Sequence, residues 1–249
     1  MTIDAGRFTW FEYLTNDDAK AIGFYTELLP WRVDRVPMAG AEYPIIEGGG
    51  AKLGGFAPLP KGVSVPQWLA YVSVDDVAKT VARVTAAGGK ALMDAVDIPG
   101  VGRMQPVADP QGGTLMLFRA LTTDGDKGSG PGAFHWNELW CPDAPAALAF
   151  YERAFGYTHD VMDMPTGPYY VLRNGDQSRG GIMASPVASM PTHWLPYVAV
   201  ADLDATLERT RRLGGRVEGE PIHAEGVGRF AFLRDPAGAR LGVITPAAR

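Results

Sequence analysis

Residues 8–14 read Phe-Thr-Trp-Phe-Glu-Tyr-Leu and residues 134–140 read Phe-His-Trp-Asn-Glu-Leu-Trp. Period-two alternation rich in aromatics predicts a strand in both places. Asp17 and Asp143 follow as helix N-caps. The apolar spacing of Ala21, Phe24, Tyr25 and Leu28, and of Ala147, Phe150, Tyr151 and Ala154, then predicts one buried helical face each. Pro30 and Gly156 stop these helices. Two or three short strands fit between residues 31 and 57, broken by Gly48-Gly49-Gly50. A second cycle follows, with a strand to Val74, a cap at Asp75 or Asp76, a helix from Val77 to Ala87 and a stop at Gly88-Gly89. Further strands run to Phe118.

The pattern is written twice. Phe8, Trp10, Glu12, Asp17, Phe24 and Tyr25 recur 126 residues later, as do Gly54-Gly55, Trp68, Tyr71, Gly100-Val101-Gly102-Arg103 and Asp109-Pro110. The register never slips, so two copies of one architecture are fused. The expected division is residues 1–121 as the first domain, 122–133 as a flexible Gly/Pro-rich linker, and 134–249 as the second domain. At about 125 residues, each copy is long enough for a core.

A net charge of −5 argues against nucleic acid or an anionic membrane surface as partner. No apolar run reaches the length of a membrane span, and residues 1–7 carry no apolar signal core, so a cytoplasmic protein is expected. The single cysteine, Cys141, sits at a strand end and reads as inert.

The order of strand, Asp cap, helix ending in Phe-Tyr, glycine-rich strands, Val74-Asp75-Asp76 and a closing Asp109-Pro110-Gln111-Gly112 turn resembles the vicinal oxygen chelate superfamily. That superfamily includes glyoxalase, bleomycin resistance and extradiol dioxygenase proteins. Copy two matches with Asp143, Phe150-Tyr151, Val200-Ala201-Asp202 and Asp235-Pro236-Ala237-Gly238. The resemblance implies an α+β fold of tandem duplicated βαβββ modules forming two half-open barrel domains. It also implies a divalent metal held by His, Gln or Glu on four strands.

At the positions the resemblance assigns to metal ligands stand Trp10, Leu69 and Met116 in copy one, and Trp136, Leu195 and Gly242 in copy two. The remaining ligand strands, Gly54 to Ala57 and Gly180 to Ala184, carry no carboxylate. Indole, isobutyl and thioether groups do not hold hard divalent ions. No metal or other cofactor is expected, a rebuilt divalent site being the alternative.

Alternation carries further residues onto the same faces. Trp10 brings Glu12, Trp136 brings Glu138 and Trp140, Leu69 brings Gln67 and Tyr71, and Leu195 brings His193 and Tyr197. The expected lining is aromatic and apolar, as in small-molecule pockets. Glu12, Glu138 and His193 are the candidate catalytic groups, each with a structural reading beside it. Arg103 and Arg229 are expected either to border the cleft or to anchor hairpins, while Trp68 and Trp194 have core parity.

Three functions are consistent with these residues. The first is a metal-free binding protein for a small aromatic or hydrophobic molecule. The second is a glyoxalase-like lyase or isomerase using Glu12 or Glu138 as base. The third is a structural pseudo-dimer with a vestigial cleft.

Overall fold

The computed structural model describes residues 3–38, 40–164 and 167–247. Copy one contains β1 (Phe8–Leu14), α1 (Asp18–Leu28), β2 (Arg32–Met38), β3 (Ala41–Gly48) and β4 (Ala51–Ala57). It continues with β5 (Gln67–Ser73), α2 (Val77–Ala86), β6 (Lys90–Ala91), β7 (Val96–Ile98), β8 (Gly102–Ala108) and β9 (Thr114–Ala120). Copy two repeats the order with β10 (Phe134–Cys141), α3 (Ala144–Phe155), β11 (Thr158–Met164), β12 (Gly167–Asn174) and β13 (Gln177–Ala184). It closes with β14 (His193–Ala199), α4 (Leu203–Arg212), β15 (Arg216–Ala224), β16 (Gly228–Arg234) and β17 (Arg240–Pro246). The fold class is the expected one: α+β, with tandem duplicated βαβββ modules and one mixed sheet per copy.

Local chemistry sets the helix ends. The carboxylates of Asp17, Asp76, Asp143 and Asp202 each accept from a backbone N–H in the first helical turn. Gly156 ends α3 in the left-handed region at φ 76°, where a side chain would be strained.

Two compact units gather the chain by contact. Unit 1 is Met1–Thr9, Leu69–Asp124 and Trp136–Trp194; unit 2 is Trp10–Trp68, Gly125–His135 and Leu195–Arg249. Each unit combines half of one copy with half of the other. In unit 1, β5-β9-β8-β6 and β11-β12-β13-β10 are four-stranded arrays, and α2 packs on α3. In unit 2 the arrays are β2-β3-β4-β1 and β14-β17-β16-β15, and α1 packs on α4.

The same bonds hold both units. In unit 2, Trp68 Nε1 donates to the Tyr25 hydroxyl at 3.2 Å, and Tyr25 donates to Asp235 Oδ2 at 2.9 Å. In unit 1, Trp194 donates to Tyr151 at 2.9 Å, and Tyr151 donates to Asp109 Oδ2 at 2.9 Å. Both carboxylates also accept two backbone N–H groups of their own turn. Burial is the main force holding the Tyr25 and Tyr151 phenols far above their ordinary pKa, and their neighbouring Asp carboxylates add to it. They therefore remain donors. Close approach of the helices uses glycine: a Cβ on Gly89 would meet Phe150 at 2.9 Å, and one on Gly215 would meet Phe24 at 3.1 Å.

The Gly/Pro-rich segment expected as a flexible linker is bonded rather than loose over its second half. Within unit 2, Gly132 N donates to Ala199 O at 2.8 Å, and Trp31 Nε1 donates to Gly132 O at 2.7 Å. Ser129 N donates to Gly49 O at 2.9 Å. Its glycines supply the left-handed turns such close backbone docking needs, as at Gly132 with φ 89°.

Candidate functional site

Trp10 and Glu12 share one face of β1, as alternation requires. What joins them is Tyr43 on β3. The Trp10 indole donates to the Tyr43 hydroxyl at 3.1 Å, and Tyr43 donates to Glu12 Oε1 at 2.8 Å. Trp10 and Tyr43 are half-buried, and Glu12 is 8% exposed. Room for the phenol comes from Gly55, whose Cβ would lie 2.3 Å from the Tyr43 oxygen.

Unit 1 repeats the relay 126 residues on. The Trp136 indole donates to the Tyr169 hydroxyl at 2.7 Å, and Tyr169 bonds the Glu138 carboxylate. Gly181 makes the space, since its Cβ would overlap the Tyr169 oxygen at 1.8 Å. Here Glu138 also accepts from Trp140 Nε1, which has no counterpart because Leu14 stands in copy one. The His193 ring meets Trp140 edge to face at 5.5 Å, and its Nδ1 lies 2.8 Å from Pro191 O. Burial, then the neighbouring glutamate charge, push the Tyr43 and Tyr169 phenols well above their ordinary pKa. Both hydroxyls are thus fixed as donors to carboxylate.

The second-cycle strands are greasier. In unit 1, Tyr71 stands opposite Met116 and meets Phe118 at 6.1 Å, with Leu69 buried on the same strand. In unit 2, Tyr197 stands opposite Gly242 and forms a triangle with Phe230 and Phe232, each 5.9 Å from its neighbour. Leu195 is fully buried, and Gln67 lies exposed at the start of β5.

Arg103 and Arg229 do not border these walls. Register pairs Met104 with Phe118 and Arg103 with Arg119, which puts Arg103 on the face opposite Phe118. It is half exposed and pairs with Asp97 at 3.0 Å across the β7–β8 hairpin. Arg229 pairs in register with Thr245, while Phe230 and Phe232 share the Gly242 face. Its guanidinium grips both oxygens of Asp204 at the start of α4, at 2.9 and 3.1 Å. Arg103 thus spans a hairpin, whereas Arg229 ties β16 to α4 and not to its own hairpin. Trp68 and Trp194 are core, as their parity predicts.

The residues at the implied metal positions do not fit a divalent ion, being indole, isobutyl, thioether or no side chain at all. Among the described residues, no group of three or more His, Cys, Asp and Glu side chains is placed to hold one. Cys141 is buried, and burial foremost pushes its thiol up to about 12. The tyrosines are the members of the hydrogen-bonded relay that alternation alone misses. Tyr43 and Tyr169 obey the 126-residue offset and face the repeated glycines, which is the signal that finds them.

Each copy of the tandem βαβββ architecture thus sets one buried glutamate, Glu12 or Glu138, beside an aromatic face. The chain belongs to the Glyoxalase/Bleomycin resistance protein/Dioxygenase superfamily, whose model matches residues 7–117 and 133–243. A Mycobacterium bovis protein described as "Putative glyoxylase CFP32" is 39% identical over 249 residues, covering 97% of this chain and 95% of that one. The anthracycline biosynthesis protein DnrV of Streptomyces peucetius is 32% identical over 256 residues, covering 96% and 93%. Among solved structures, the Mn(II)-bound glyoxalase from Novosphingobium aromaticivorans superposes with a TM-score of 0.68 at 17% identity, over 98% of this chain and 83% of that chain. An extradiol ring-cleaving dioxygenase from B. fuscum gives 0.68 at 15% identity, over 99% and 73%. Among the described residues, no helix is long and apolar enough to cross a membrane.

Proposed function

We propose that this protein is a metal-independent, glyoxalase-like binder of a flat aromatic molecule. The ligand stacks on Trp10 or Trp136 and donates a hydrogen bond to Glu12 or Glu138. The observation that carries this reading is the repeated relay from indole through phenol to carboxylate. It fixes each glutamate with a donor on one side while the indole face stays half open. An aromatic contact there adds about 0.5–1.5 kcal/mol beyond the burial of area. A buried carboxylate also rejects analogues that lack the matching donor. The name of the anthracycline biosynthesis relative supports a planar polycyclic ligand, for which doxorubicin is a usable probe. A cytoplasmic protein without nucleic-acid or membrane partners fits the same reading.

The test is a thermal-shift and fluorescence titration of EDTA-treated protein with doxorubicin. A saturable rise in Tm without added metal is expected. No shift at any concentration rejects the reading.

A second reading, a lyase or isomerase with Glu12 or Glu138 as base, is favoured by the glyoxylase relative and by the carboxylates' fixed orientation. It requires turnover that Glu12→Gln or Glu138→Gln abolishes.

A further inference from the structure

Tyr13 points to the face of β1 opposite Glu12 and forms part of the floor of a cavity of about 280 Å³ within unit 2. Phe24, Leu59, Pro66, Pro236 and Ala237 contribute apolar lining. Thr15, Asp17 and Lys20 place polar groups around it. Asp235 closes the floor, accepting from both Tyr13 and Tyr25.

The matching place in unit 1 is bridged by a side chain. Gln111, the counterpart of Ala237, reaches across to the residue that caps α3. Its Nε2 donates to Asp143 O at 2.7 Å, and its Oε1 accepts from Asp143 N at 2.9 Å. A single carboxamide thus reads a donor and an acceptor at the helix start. Asp143 O carries this bond in addition to the one from Ala147 N at 3.0 Å. In unit 2, Asp17 O accepts a longer bond from Ala21 N at 3.3 Å, so it has the same second lone pair to offer. Asp17 N is bonded to Thr15 Oγ1 at 3.0 Å. An incoming carbonyl would therefore meet the Thr15 hydroxyl proton or the Lys20 ammonium instead. Ala237 is one methylene and a carboxamide shorter than Gln111, and the cavity of about 280 Å³ that it lines is large enough for a ring as well as the amide.

We propose that unit 2 carries a second small-molecule site, on the other face of β1 from the Trp10–Tyr43–Glu12 relay. It takes the carboxamide head of a small ring-bearing amide in the place that Gln111 fills in unit 1. The amide N–H donates to Asp17 O, and the ring lies between Phe24 and Pro236.

The experiment is saturation-transfer NMR with isothermal titration, using benzamide as probe and benzoate as its acceptor-only control. Benzamide is expected to bind one site with a Kd on the order of 1 mM, the range of a weak fragment. Benzoate is expected to bind at least about tenfold more weakly, for want of a donor. Ala237→Gln restores the residue of the sister copy, so it should fold normally with an equal or higher Tm. It should weaken benzamide at least about tenfold, whereas Ala237→Ser, too short to reach, should keep wild-type affinity. Wild-type protein without saturable benzamide binding, benzoate that matches benzamide, or a folded Ala237→Gln variant that binds as wild type would each overturn the proposal.

Discussion

Tyr25 donates its phenol to the Asp235 carboxylate at 2.9 Å across 210 residues of chain, and Tyr151 does the same to Asp109. The first bond runs from copy one to copy two, and the second runs back. Each unit is therefore closed by a hydrogen bond that neither copy can make alone. Removing one hydroxyl strips a buried carboxylate of a donor and an indole of its acceptor. Tyr25→Phe and Tyr151→Phe should each lower stability by roughly 1.5–3 kcal/mol, the range for hydrogen bonds to charged groups. Urea denaturation reads this directly, and a loss below 0.5 kcal/mol in both variants would show that the exchange contributes little.

Acid and neutral stability should be governed by different carboxylates. Burial raises the pKa of Asp109 in the fold, against the pull of its backbone and Tyr151 donors. The folded state then holds that proton more tightly than the unfolded one. The contribution is complete below the unfolded value near 4 and is lost as pH rises through the folded pKa. Asp109→Asn should flatten the fall in stability above about pH 4. For Glu218, burial opposes ionisation, but bonds to Arg240 and Arg234 outweigh it and lower the pKa. That contribution is present above about 4.3 and is lost as pH falls through the folded value. Glu218→Gln should cost stability at pH 7, and the cost should shrink as pH falls below about 4.3, as measured by Tm against pH.

The relay should depend on glycine. A methyl on Gly181 would lie 1.8 Å from the Tyr169 oxygen and 2.3 Å from its Cζ, so the ring must swing away. Gly181→Ala should therefore release Glu138 from Tyr169 and weaken doxorubicin binding at that copy, with Gly55→Ala doing the same beside Tyr43 at 2.3 Å. Half-site loss in a fluorescence titration of each variant is the expected signature. Unchanged stoichiometry and affinity in both would separate the relay from binding.

Much of this was legible in the chain, but not all of it. Alternation, capping chemistry and the 126-residue offset located the caps Asp17 and Asp143 and both glutamates, because period and capping are local properties, whereas the α2 cap stayed open between Asp75 and Asp76. Tyr43 and Tyr169 escaped because their reach to the glutamates depends on strand register through β3–β4 and β12–β13, each with a bulge, at Ile46/Glu47 and Leu172/Arg173. Arg103 and Arg229 were open between cleft and anchor because a hairpin's register must be known before a face can be assigned. The exchange of Tyr25 and Tyr151 between copies was invisible for another reason. A repeat says that two copies are alike, not which halves pack together. Gln111 and Ala237, one step inside the repeated Asp-Pro turn, show how a single departure from the repeat can alter one copy alone.

Cys141 offers a simple check on the core. It is fully buried, and its thiol is pushed up to about 12, foremost by burial. It should leave a thiol reagent such as DTNB unreacted at pH 8 in the native protein and react fully in guanidinium. Fast native labelling would place it in an opening segment.

Aromatic and aliphatic side chains stand at the positions that the superfamily resemblance assigns to metal ligands, and the proposed binding proceeds without a metal. Elemental analysis of the purified protein, paired with doxorubicin titration before and after EDTA and with Mn(II) restored, tests it most directly. The expected result is substoichiometric metal and a Kd unchanged within twofold across all three conditions. A divalent ion at one per copy, with binding that disappears on chelation and returns with Mn(II), would contradict it.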